Sequence, residues 1–266
     1  MDVVALLPRL HLLRFPVGQA CLWDDVGELT LVDAGPPGSG RAIADAVTAL
    51  GHAPAAVRRV VLTRFHEDHA GGAAELAALT GAEVLAHAAD AVVLRRDVPA
   101  PQPVLEEWER PLHAAALRHL PVRDVEPPSA ITELADGDVL AFSGGARVVH
   151  VRGHTDGSIA LPLPGHGVLF TGDTVAASPV DGSVMPGVFS LDRFRTVAAL
   201  HRLAALDADV ACFGHGAPVT GQVSAVLREA ADRHRPARRG RGSCPCPPTA
   251  AGGEPAGPVP GAGAAA

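Results

Sequence analysis

The sequence predicts a layered α/β protein, two sheets packed face to face with helices on the outside. Three observations carry this. Short strand-like runs recur through the first 235 residues, segments of helical period are interleaved with them, and the second half repeats the grammar of the first. With 47% hydrophobic and only 19% charged residues among 266, the chain has enough apolar side chain for such a core.

The elements follow in order. Leu10 to Phe15, Gln19 to Asp24 and Glu28 to Asp33 read as strands, the last two joined by a turn around Asp25 and Gly27, so the chain opens antiparallel. Ser39 is placed to cap a helix ending near Leu50, with Ile43, Ala46, Val47 and Leu50 at helical spacing. Arg59 to Thr63 is a hydrophobic strand and Ala73 to Leu79 a helix, with the polar segment Arg64 to Gly72 exposed between them. A strand (Glu83 to Ala86) and a helix (Ala89 to Arg95) lead into a Pro-rich segment and a helical insertion near Val104 to Arg118. Strands are then expected at Val139 to Phe142, Arg147 to Val151, Ser158 to Leu163, Val168 to Thr171 and Val210 to Phe213. The last helices fall near Leu191 to Leu206 and Val223 to Arg233. From Pro236 onward the Pro/Gly/Ala-rich composition has almost nothing to bury, so one domain over 1–235 and a disordered tail over 236–266 are expected.

Charge narrows the partners. The 22 basic residues are all Arg and are outnumbered by 29 acidic ones, for a net charge of −7. A nucleic acid or an anionic membrane is disfavoured, because each needs a cationic face. No apolar run reaches the roughly 18 to 20 residues of a membrane span, and Asp2, Arg9, His11 and Arg14 break any leader pattern, so a cytoplasmic location is expected. Cys21, Cys212, Cys244 and Cys246 form neither a disulfide framework nor a zinc-knuckle spacing, and reduced thiols are expected.

The chemistry sits where histidines fall in loops at strand ends beside carboxylates and glycines. His66-Glu67-Asp68-His69 fills a strand-to-helix junction, and Gly153-His154-Thr155-Asp156-Gly157, Gly172-Asp173-Thr174 and Gly214-His215-Gly216 each follow a strand. Imidazoles with carboxylates and no thiolate nearby in sequence are the ligand set of a catalytic zinc. Without a metal, the same residues would have to be a polar cluster satisfied by hydrogen bonds alone.

These residues resemble the metallo-β-lactamase fold superfamily. Leu62-Thr63-Arg64-Phe65-His66-Glu67-Asp68-His69-Ala70-Gly71-Gly72 is similar to its Thr-His-x-His-x-Asp-His signature. Val32-Asp33-Ala34-Gly35 resembles its early Asp-x-Gly strand end, and His154, Asp173 and His215 match its later motifs in order and spacing. The resemblance implies an αββα sandwich of two mixed sheets with metal at one edge. It implies one ion on Asp68, His69, Asp173 and His215, and a second on His66, His154 and the first signature His, with Asp173 touching both. Asp33 would support the ligand loops, and Glu67 would point into solvent.

Arg64 stands where that first His belongs. A guanidinium has no lone pair and stays protonated, so it cannot ligate. At about 4 Å it would repel a divalent ion by on the order of 8 kcal/mol at an effective dielectric of 20. One zinc is therefore expected, as in lactamases of the superfamily that carry Asn at this position, and Arg64 is a candidate contact for a substrate carboxylate or oxyanion.

The function expected by resemblance is hydrolysis of a small ester, thioester, lactone or related acyl compound through a metal-activated water, with Asp68 orienting it or relaying its proton. The chain has no Tyr, which removes the oxyanion donor of the family's lactonases. The stretch after His215 is short for the added substrate domain of a glyoxalase II-like thioesterase. The alternative is a non-catalytic binding protein whose Arg64 recruits an anionic ligand. An iron-dependent sulfur dioxygenase, which would need a ligand at position 64, and a nuclease, which would need a basic clamp, are disfavoured. His87 and His113 are further candidate substrate contacts.

Overall fold

A computed structural model of the chain describes residues 1–120, 126–178 and 180–234; the expected tail from residue 236, with Cys244 and Cys246, lies outside them. Strands β2 (Leu10–Arg14), β3 (Gln19–Asp24) and β4 (Leu29–Val32) pair antiparallel as the opening pattern predicts, and β1 (Asp2–Leu7), which was not expected, pairs antiparallel with β2. Helix α1 (Gly40–Ala49) then crosses over to β5 (Val57–Leu62), parallel to β4. A four-residue turn of helix, α2 (Glu67–Ala70), and α3 (Ala73–Thr80) lead to β6 (Glu83–His87). Helices α4 (Ala88–Leu94) and α5 (Glu109–His119) precede β7 (Thr132–Leu134), which closes a seven-stranded sheet in the order β1 to β7.

The second half begins with a hairpin of β8 (Val139–Leu140) and β9 (Ala146–Arg147). Then come β10 (Val149–His150), β11 (Ile159–Leu163) and β12 (Val168–Phe170), a hairpin of β13 (Val175–Ala177) and β14 (Val184–Pro186), helix α6 (Arg193–Leu203), β15 (Val210–Cys212), β16 (Val219–Thr220) and helix α7 (Val223–Arg233). A five-stranded mixed sheet takes the order β10-β11-β12-β15-β16. The predicted strand from Arg147 to Val151 is split, its start pairing in the hairpin and its middle in the second sheet.

Period-two alternation makes these strands four-layered. Leu10, Leu12, Cys21, Trp23 and Val61 meet Ile159, Leu161, Phe170 and Cys212 between the sheets. Their neighbours Leu13, Leu22, Leu31 and Leu62 point the other way, onto Ile43 and Val47 of α1 and Leu76 of α3. On the far side Ala160, Leu169 and Ala211 meet Leu200 and Leu203 of α6 and Leu227 of α7. Each fully buried Leu or Ile contributes about 1.5–3 kcal/mol, and a one-residue slip would exchange the two faces, so the register is fixed from both sides. The layered sandwich of two mixed sheets is thus as predicted.

Local details differ. β1, absent from the strands that the sequence predicts, is an edge strand, apolar from Val3 to Leu7 yet with all six side chains at least partly exposed. Ser39 holds the N-cap position of α1 without a side-chain cap, and Glu75 Oε2 of α3 accepts the Gly40 N–H instead at 2.9 Å. The inserted helix starts at Glu109 rather than Val104, because Val104 N–H donates to Ser190 O and is drawn into an extended path. No helix among the described residues is long and apolar enough to cross a membrane.

Candidate metal centre

β4, β5 and β6 are parallel, and so are β12 and β15, with β10 brought into the same sense through β11. Asp33, the Arg64–His69 segment, Asp90, His154, Asp173 and His215 all leave the C-terminal ends of these strands. That end is where an open α/β sheet offers polar loops without sacrificing core. The topology therefore gathers at one edge motifs up to 182 residues apart, Asp33 to His215.

One half of the cluster is a compact donor set. The ligating atoms of Asp68, His69 and His215 lie within 4.8 Å of one another. His69 Nε2 is 3.5 Å from both Asp68 Oδ2 and His215 Nε2, and His215 Nε2 is 2.9 Å from Asp68 Oδ2. Asp173 adds Oδ1 at 3.6 Å from His69 Nε2 and Oδ2 at 3.3 Å from His215 Nε2. Ligands on a tetrahedral zinc with bonds of about 2.1 Å stand about 3.4 Å apart, so Asp68, His69 and His215 fit such an ion by spacing and by chemistry, with Asp173 reaching the two imidazoles through different oxygens. Behind it, His69 Nδ1 bonds Asp33 Oδ2 at 2.7 Å, which fixes the ring so that Nε2 faces the site. Asp33 is itself held by the N–H and hydroxyl of Thr63 at 2.7 and 2.8 Å.

The other half is built round Arg64, whose side chain is 2% exposed. Its Nη1 meets Asp173 Oδ1 at 2.6 Å, as an ion pair outside hydrogen-bond alignment, and its Nη2 lies 3.2 and 3.3 Å from the two oxygens of Asp68. Its Nε–H donates to His66 Nδ1 at 2.9 Å. His154 Nε2 stands 3.1 Å from that same His66 nitrogen and 3.7 Å from Asp173 Oδ2, while its buried Nδ1 has no hydrogen-bond partner.

The charges follow. Burial alone would raise the Asp68 and Asp173 carboxyls, but Arg64 and the neighbouring imidazoles hold both well below the usual range. Burial and then Arg64 push His66 down to about 3 and His154 well below 6.5, so both rings are neutral. His215 is also disfavoured by burial, yet Asp173 and Asp68 push it up to about 10. His69 moves upward as well, Asp33, Asp68 and Asp173 outweighing burial and Arg64.

All six expected ligands, His66, Asp68, His69, His154, Asp173 and His215, thus meet at one edge, with Arg64 among them. A Cβ at Gly214 would overlap Asp173 Oδ1 and His69 Cε1, so the glycine before His215 is required by space. Glu67 is exposed. His87 stacks on His150 at 4.0 Å, and His113 meets Phe189 edge-on at 5.0 Å. Cys21 and Cys212 are free thiols in the inter-sheet core, and their mutual contact and burial push the Cys21 thiol far up.

Two supporting residues are not evident from the sequence. Asp90, 1% exposed, accepts from Phe65 N–H and Thr155 Oγ1 on one oxygen and from Gly157 N–H on the other, at 3.0, 2.7 and 2.7 Å. It ties the His66 loop to the His154 loop, and burial raises it to about 6. Gln19 donates to Phe213 O and Gly216 O, both at 2.8 Å, pinning the His215 loop to the first sheet. Their only sequence signal is a polar residue beside an apolar run, which many surface residues share.

Fold and site together define a protein with two sheets, helices outside, and a His/Asp metal-binding edge. The chain belongs to the metallo-beta-lactamase superfamily, whose family model matches residues 20–215. It is 33% identical over 120 residues to a hydroxyacylglutathione hydrolase of Cereibacter sphaeroides, covering 45% of this chain and 34% of that one. A hydroxyacylglutathione hydrolase of Anaeromyxobacter dehalogenans is 38% identical over 122 residues, 44% of each chain. The chain therefore matches less than half the length of these relatives. Among solved structures, a metallo-beta-lactamase family protein from Thermus thermophilus superposes with a TM-score of 0.62 at 27% identity, covering 86% of this chain and 79% of that one.

Proposed function

We propose that the protein is a metal-dependent hydrolase of a small acyl compound, a thioester first among ester, thioester and lactone, with zinc as the ion. The observation that carries this is the donor spacing of 2.9–3.5 Å among Asp68, His69 and His215, which suits one ion, with the Asp173 carboxylate beside it. An ion held there supplies Lewis acidity and a bound water whose pKa falls toward about 7. Asp68, His69 and His215 would hold that ion with Asp173 beside them, and Asp33 would keep the His69 Nε2 directed at it. Asp68, beside His215 and within reach of the same ion, would orient the attacking water or relay its proton. The relatives that hydrolyse hydroxyacylglutathione, a thioester, support the substrate class.

A second reading has its own observation. Arg64 already neutralises part of the charge on Asp68 and Asp173, so a non-catalytic member that binds a metal or an anionic ligand would look similar. Elemental analysis of protein purified without added metal, followed by a panel of hydroxyacyl thioesters, aryl esters and lactones with and without chelator, separates the two. The hydrolase reading expects bound zinc and chelator-sensitive turnover of a thioester. Bound metal with no turnover of any class supports the binder.

A further inference from the structure

Arg64 makes contacts with both carboxylates and one imidazole of the site while almost wholly buried. Such a group is not waiting for a ligand, since each of its three nitrogens is already within reach of a partner in the protein. The His66 Nδ1 lone pair, which an ion would need, is taken by Arg64 Nε–H, and His154 Nε2 is directed at the same atom. Around the guanidinium lie His66, His154 and Asp173, three donors of the type that make a catalytic zinc site when nothing else fills it. We propose that Arg64 is a resident cation: it occupies the His66–His154–Asp173 side of the site, keeps a metal ion out of it, and holds Asp68 and Asp173 in place for the one ion on His69 and His215. The substrate-contact role expected for Arg64 is thereby replaced by a positioning role, exercised through the two carboxylates. This builds on the metal-dependent reading above but does not require it, because the exclusion of an ion can be measured without turnover.

The experiment counts zinc per chain at saturating zinc, after removal of excess, in the full-length wild type and in Arg64→Ala, Arg64→His and Arg64→Lys. Wild type and Arg64→Lys, which keeps the cation without its fork, are expected to hold one zinc. Arg64→Ala opens the three-donor set and Arg64→His completes a three-imidazole site, so both are expected to hold two. Circular dichroism and melting curves identify any variant that does not fold, and either of the two-zinc variants is sufficient for the test. Folded Arg64→Ala and Arg64→His that stay at the wild-type count would overturn the proposal, as would two zinc ions in the wild type. No zinc in the wild type with one or more in Arg64→Ala would uphold the exclusion by Arg64 and instead sink the metal-dependent function.

Discussion

The two halves of the site use the same imidazoles and carboxylates, yet their imidazoles shift in opposite directions. His215 faces the carboxylates of Asp68 and Asp173 and is driven up to about 10, whereas His66, across the same cluster, is driven down to about 3. Both rings are penalised by burial, so the difference comes from their neighbours. The one placed between two carboxylates gains a proton, and the one that accepts a hydrogen bond from a guanidinium cannot. A single Arg at position 64 thus divides a symmetric-looking ligand set into a cation-seeking half and a half that already contains its cation.

The largest test of this division is Asp173→Asn, because Asp173 touches Arg64 and the imidazoles of both halves, His154 as well as His69 and His215. Zinc affinity should fall by more than about 100-fold, beyond what loss of an outer partner produces, as read by dialysis against chelator-buffered zinc. Retention of wild-type affinity would show that Asp173 serves Arg64 alone. Asp33→Asn should act on one half only, weakening zinc by about 10–100-fold through the His69 tautomer. An equal loss on substituting His66 would erase the contrast between halves.

Asp90→Ala probes the scaffold under the Arg64 half. Three donors lose their acceptor there, so stability in urea should drop by about 2–4 kcal/mol with the zinc count unchanged. A fall in zinc count would mean that the His154 loop also supports the other half.

The smallest effect is a pH profile of the chelator-treated protein. His215 is raised, so its contribution is complete below pH 6.5 and is lost as pH climbs toward about 10. His66 is lowered, so its contribution is complete above pH 6.5 and is lost as pH falls toward about 3. Melting temperature should therefore decline on both sides of neutrality, by roughly 2–4 °C per kcal/mol for a domain of this size. His215→Asn should flatten part of the alkaline limb, which His69 shares, and His66→Asn part of the acid limb, which His154, Asp68 and Asp173 share. If both substitutions moved the same limb, the assignment of charge to the two halves would be wrong.

Much of the site was legible because its residues are marked locally. His66, Asp68, His69, His154, Asp173 and His215 each stand in a short polar loop immediately after an apolar run, and such loops must emerge at strand ends. Asp90 and Gln19 were not legible, since a buried carboxylate on the first turn of α4 has the same sequence surroundings as an exposed one. Most strands were found, while β1, β7, the β13–β14 hairpin and β16 were not. β1 is apolar from Val3 to Leu7 but does not alternate, and the others pair over three residues or fewer, which leaves little periodicity to read.

The sequence by itself determined the alternation of strand and helix, the family, the ligand types and the presence of a guanidinium in the signature, because all of these are carried by residue identity and short spacing. Only the tertiary structure decided what that guanidinium does. Whether Arg64 reached outward to a substrate or inward to Asp68 and Asp173 depended on how two loops from different sheets converge, Thr63 to His69 from the first and Thr171 to Thr174 from the second. Coulomb energy depends on distance and burial, and neither is written in the order of residues; it took the 2.6 Å approach of the buried Arg64 to the buried Asp173 to turn an apparent missing ligand into a cation of the site.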